Sequence, residues 1–194
     1  MKKIFPHIAF ALMSCQLLLM PASWLLSAAF PDSGIRSMLS GEGLRWFMGG
    51  YAHSMATPQL VWLLLLSMAA GCLHRSGLFA RRASFREGRA LMISLVVLLA
   101  CVGVIVLLAF IPHAVLLSAT GSLWPSPFSA AFIPLLAFTV MLSSAVYGLV
   151  SGRFPSLAAV CDALLHGLRG GAPLLLLYVL FLQLALSVCY VFPL

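Results

Sequence analysis

Five long apolar stretches of the chain contain no Asp, Glu, Lys, Arg or His: Ile8 to Phe30, Leu60 to Leu73, Ala90 to Ile111, Phe132 to Val150 and Pro173 to Leu194. Roughly 20 consecutive apolar residues cross the hydrocarbon core of a bilayer, so each stretch reads as a membrane span. The second is short and starts near Ala56, giving expected spans over 8–30, 56–73, 90–111, 132–150 and 173–194. Two connections have a pattern of their own. Ser37 to Met48 brings Glu42, Arg45, Trp46 and Phe47 together, which predicts an interfacial helix on the outer side. Ser156 precedes a segment, 157–168, in which Leu157, Val160, Leu164 and Leu168 form one apolar stripe. That predicts an amphipathic helix on the cytoplasmic surface or against the bundle, bracketed by Pro155 and by Gly170-Gly171-Ala172-Pro173. The expected fold is all-α: about five transmembrane helices, an outer interfacial helix and a cytoplasmic amphipathic helix, in one integral membrane domain over residues 1–194.

Composition strengthens this reading. With 63% apolar and 8% charged residues, a chain of 194 residues has too little polar surface to cover a water-soluble globule, and lipid must face much of it. The net charge of +7 does not point to nucleic acid, because the basic residues flank the apolar runs instead of interleaving with aromatics on a polar face. It sets orientation instead. Lys2 and Lys3 precede the first span, Arg75, Arg81, Arg82, Arg86 and Arg89 lie between the second and third, and Arg153 and Arg169 lie between the fourth and fifth. An N-terminus in the cytoplasm puts nine of the 11 basic residues inside, leaving only Arg36 and Arg45 outside. The C-terminus then faces the periplasm. Ser27-Ala28-Ala29 has the small residues of a signal-peptidase site. The first run is nonetheless longer than a usual signal core, and Pro21 at its middle suits a packed membrane helix, so a retained span is favoured. The five cysteines lack C-x-x-C spacing and read as reduced apolar groups.

Chemistry is sparse. An ionisable residue inside a span is the usual marker of an ion or proton path, and none of the five runs contains one. Their polar groups are Ser, Thr, Gln and Tyr side chains, from Ser14 and Gln16 to Gln183 and Ser187, which read as hydrogen bonds between neighbouring helices. Asparagine, a common ligand in transporter cores, is missing from the composition. Ser144, Gly148 and Gly152 recur every fourth residue, and Ser67 and Gly71 repeat that spacing on the second span; such faces let another helix approach closely. Arg81, Arg82, Arg86 and Arg89 form the densest basic cluster, suited to anionic lipid headgroups or an acidic partner. Asp162 and His166 stand four apart, yet no further histidine or carboxylate completes a metal set nearby. Neither catalytic signatures nor cofactor motifs occur, so no enzyme activity and no cofactor is expected.

Several blocks, in order, resemble the aminobenzoyl-glutamate transporter (AbgT) family of bacterial inner-membrane carriers. The segment from Ser37 to Trp46 looks like the family's S-L-L-S-x-E-G-L-R-W stretch after its first helix. Gly71-Cys72-Leu73-His74-Arg75-Ser76-Gly77-Leu78 is similar to the basic, Ser-Gly-Leu ending of its second helix. Gly121 to Phe128, Ile133-Pro134-Leu135 and Ala145-Val146-Tyr147-Gly148 resemble its G-S-x-x-P-S-P-F, I-V-P-L and I-A-Y-G-I motifs, and Phe181-Leu182-Gln183 its F-A-A-Q-F helix. The family is more than twice as long. Where it inserts a re-entrant hairpin and further helices, this sequence passes from the second span through one basic loop to the third. The second hairpin, which follows the family's N-W-S-N motif, is also expected to be missing.

The resemblance therefore implies a scaffold fold in the bacterial inner membrane without the hairpins that carry the family's substrate and ion sites. The expected role is a scaffold or accessory subunit, as a homo-oligomer or with another membrane subunit, surrounded by membrane lipid. The alternative is transport of an aminobenzoyl-glutamate-type small molecule by an oligomer or with a partner; no substrate residue carries over to a position here.

Overall fold

The charge-free runs fold as helices whose ends are set by ordinary local chemistry. The computed structural model describes residues 4–79, 85–110 and 127–193. Lys2, Lys3, Arg81 and Arg82 lie outside the described residues, as does most of the Gly121 to Phe128 block. All described secondary structure is helical: α1 (Ile4–Ala29), a 3-10 turn (Pro31–Ser33), α2 (Gly41–Met55), α3 (Pro58–Ser76), α4 (Phe85–Phe110), α5 (Pro127–Ser151) and α6 (Leu157–Val191). Pro58 and Pro127 occupy the first helical position of α3 and α5, where a missing amide proton costs nothing. Ser40 caps α2 by accepting a hydrogen bond from the Gly43 amide at 3.0 Å. Gly77 and Gly152, with φ of 68° and 84°, stop α3 and α5 in the left-handed region that a side chain disfavours.

Among the described residues, α1, α4, α5 and α6 are long and apolar enough to cross a membrane. The chain is a multi-pass membrane protein. The 19-residue α3 carries Gln59, Ser67, His74 and Arg75 and falls short of the hydropathy of those four. Large apolar side chains such as Phe10, Leu18, Met92 and Val96 are more than 60% exposed, the expected state of a surface that acyl chains solvate.

One expectation is corrected. The amphipathic segment 157–168 and the span from Pro173 are not separate elements, because α6 is a single helix of 35 residues. Gly-Gly followed by Pro ends a helix in water. In a membrane the unbonded carbonyl opposite Pro173 is tolerated, and helical glycines serve close packing.

Contacts divide the chain into two compact units, Met1–Leu60 with Ala172–Leu194, and Val61–Gly171. In the first, α1 and the end of α6 are joined by Gln16 Nε2 donating to Ser187 Oγ at 2.9 Å. The Met38 amide donates to Ser23 Oγ at 3.0 Å, fixing the approach to α2 under an almost fully buried Met38. Trp46 of α2 stacks on Tyr190 with ring centroids 4.5 Å apart, and the Arg36 amide donates to Val191 O at 3.0 Å. Thr57 Oγ1 and the Tyr178 hydroxyl are hydrogen-bonded at 2.8 Å.

In the second unit α4 and α5 run antiparallel. Arg86 Nε donates to Val150 O at 3.1 Å, and eight residues further along α4 Ser94 Oγ donates to Ser143 O at 2.9 Å. Cys72, Phe154 and Ala163 form the core of this unit, with Met141, Leu149, Val160 and Leu164 packed around them.

Candidate functional site

A close helix approach in the second unit is built from small residues of α3 and α6. A β-carbon added at Gly71 would overlap the Gly167 backbone and come within 2.7 Å of Ala163 O, and one at Gly171 would stand 2.6 Å from Ser67 Cβ. The pairs Ser67 with Gly171, Gly71 with Gly167 and Arg75 with Asp162 step in opposite directions, so the two helices cross antiparallel. Glycine at both centres lets backbone meet backbone, the geometry of small-xxx-small contacts in membranes.

The α6 half of this contact was missed in the sequence. Ala163, Gly167 and Gly171 are buried at every fourth position, while Leu157 of the leucine stripe is 73% exposed. The signal was present as a small-residue repeat. It was hidden by reading Gly170 and Gly171 as a helix stop.

The face expected on the fourth span separates into three different environments. Ser144 is fully buried and donates to the Val140 carbonyl, beside the Met141 carbonyl that accepts from Cys72 Sγ at 3.7 Å. Gly148 is covered by the ring of Phe154, from the connection to α6, and a β-carbon there would overlap the ring. Gly152 is the left-handed stop of α5, with the Arg86 guanidinium 2.9 Å from where a β-carbon would sit. The first faces a helix, the second a loop and the third a cation.

Charge collects at one end of this unit, where α3 and α5 end and α4 and α6 begin. Arg75 pairs with Asp162 at 3.1 Å and Arg153 with Glu87 at 3.0 Å. The first pair is about half exposed on both sides and contributes under about 1 kcal/mol. Arg89 is exposed, its guanidinium 5.7 Å from the Phe85 ring centroid. The Arg81–Arg82 half of the basic cluster lies outside the described residues. Asp162 thus faces Arg75 of α3. No group of three or more His, Cys, Asp or Glu capable of holding a metal occurs among the described residues.

Between α4 and α5, an open groove of about 280 Å³ is lined by Ala100, Cys101, Val104, Ile105, Leu135, Phe138 and Thr139. The Thr139 hydroxyl donates to Leu135 O at 2.8 Å within its own helix, so the groove presents an almost wholly apolar wall. No family model, curated protein or solved structure matches this chain.

Proposed function

We propose that this chain is a scaffold or accessory subunit of a membrane complex, an AbgT-like protein of the bacterial inner membrane without the re-entrant hairpin that the family inserts after its second helix. In this reading α1, α3, α4, α5 and α6 span the bilayer, α2 lies at the periplasmic interface, and the N-terminus and the Arg-rich end of the second unit face the cytoplasm. Nine of 11 basic residues on one side supports that orientation. At 1.5 Å per residue α6 is about 52 Å long against about 30 Å of hydrocarbon, so its first turns extend past the core on the cytoplasmic side.

The observation that carries the proposal is where the buried hydroxyls point. Ser76, Thr139, Ser143 and Ser144 donate to carbonyls of their own helices; Ser94 donates to a neighbouring helix, and Ser23 and Ser187 accept from Met38 N and Gln16. Each holds backbone or joins elements, which is the work of a packing framework.

The test is purification of the tagged protein in a gentle detergent, with its mass and copurifying proteins identified. A stoichiometric membrane partner whose level falls when this chain is deleted supports the accessory role. A homo-oligomer that accumulates or exports aminobenzoyl-glutamate on reconstitution would overturn it in favour of transport.

A further inference from the structure

The groove between α4 and α5 and the basic end of the same unit are joined by one face of α4. Arg89, Ile93, Val96, Ala100 and Val104 recur at helical spacing, and all five are exposed. Eleven residues separate Arg89 from Ala100, about 16 Å along the axis and within about 20° of the same direction. That is about half of the 30 Å hydrocarbon thickness, the depth of a single leaflet.

The local charge is unbalanced. Arg86 and Arg89 stand three apart on α4, and Glu87, the acid between them in the chain, is engaged by Arg153 of the neighbouring connection. Below them the wall is apolar, and it ends in a concavity flanked by Val104 and Phe138, each more than 50% exposed. A cationic head, an apolar track one leaflet deep and a closing groove match an anionic phospholipid in both charge and length.

We infer that this face is a binding site for an anionic phospholipid: the phosphodiester pairs with the Arg89 guanidinium, and one acyl chain runs over Ile93 and Val96 into the groove at Ala100, Val104 and Phe138. Guanidinium forms forked hydrogen bonds to phosphate oxygens, and each basic residue near the membrane surface contributes about a five-fold preference for anionic lipid. The site requires only that α4 and α5 cross the membrane, and stands independently of the scaffold role.

Native mass spectrometry of the detergent-solubilised full chain tests this with phosphatidylglycerol, phosphatidylcholine and glycerophosphoglycerol as probes. Wild-type protein should retain one equivalent of phosphatidylglycerol about five-fold or more in preference to phosphatidylcholine. Arg89→Gln should abolish the preference, whereas Arg169→Gln, on α6, should not. Val104→Trp, which fills the groove from an exposed position, should weaken binding of phosphatidylglycerol while leaving the helix content by circular dichroism unchanged. Equal retention of both lipids by wild type, or wild-type affinity in both Arg89→Gln and Val104→Trp, would overturn the site. Displacement of phosphatidylglycerol by the chain-free headgroup at equal concentration would also overturn it, since the acyl chain would then contribute nothing.

Discussion

Single atoms decide whether α3 and α6 can touch. Because the space beside Gly71 is occupied by Gly167 backbone, no rotamer of a larger side chain relieves the overlap. Gly71→Val is expected to destabilise the second unit by about 3 kcal/mol, the upper end of overpacking costs, read by loss of monodisperse protein on warming in detergent. Gly148 is different, for its neighbour is the Phe154 side chain and not backbone. Gly148→Ala should therefore destabilise strongly alone, yet cost measurably less in a Phe154→Leu background, and a double-mutant cycle in the same thermal assay checks the coupling. One buried polar residue of the first unit carries less. Gln183 is more than nine-tenths buried and its Nε2 has no partner, so Gln183→Leu should be neutral or slightly stabilising. A loss of more than about 1 kcal/mol in denaturant titration would show that this amide holds something in place.

At the scale of elements, the sequence reads best where composition alone decides. Runs without charge became helices because lipid leaves the backbone no alternative to internal hydrogen bonds. Continuity of α6 was not legible. Gly170, Gly171 and Pro173 mean one thing in water and another beside a packed neighbour, and which applies depends on Ser67 and Gly71, roughly 100 positions away in the chain. The same long-range dependence hid the α4–α5 groove, whose walls are ordinary apolar residues distinguishable only once Ser94 meets Ser143. An uninterrupted α6 has a measurable signature. Amides from Ala163 to Leu176, excepting Pro173, should exchange slowly as one block in hydrogen–deuterium exchange, whereas a surface helix separated by a Gly-Gly joint would show a fast-exchanging break at residues 169–172.

For the whole molecule, orientation can be read with its own thiols. Cys161 is exposed near the start of α6 and Cys189 is exposed near its end. With the proposed topology, a variant retaining only Cys189 should react with a membrane-impermeant maleimide in spheroplasts, and one retaining only Cys161 should react only after the membrane is opened. The reverse pattern would invert every assignment of inside and outside. Both compact units draw on α6, the first through residues from Ala172 onward and the second through those up to Gly171. The crossing of Gly71 with Gly167 also has a consequence in time. A ribosome adding about 5–20 residues per second needs roughly 5–20 s to make the roughly 100 residues that separate them, so in the proposed topology α3 is made and inserted long before its counterpart exists. During that interval its notched face, with Arg75 and His74 just beyond it, has to be shielded by an insertase or by lipid, which makes early biogenesis the stage at which this chain is most exposed to proteolytic quality control.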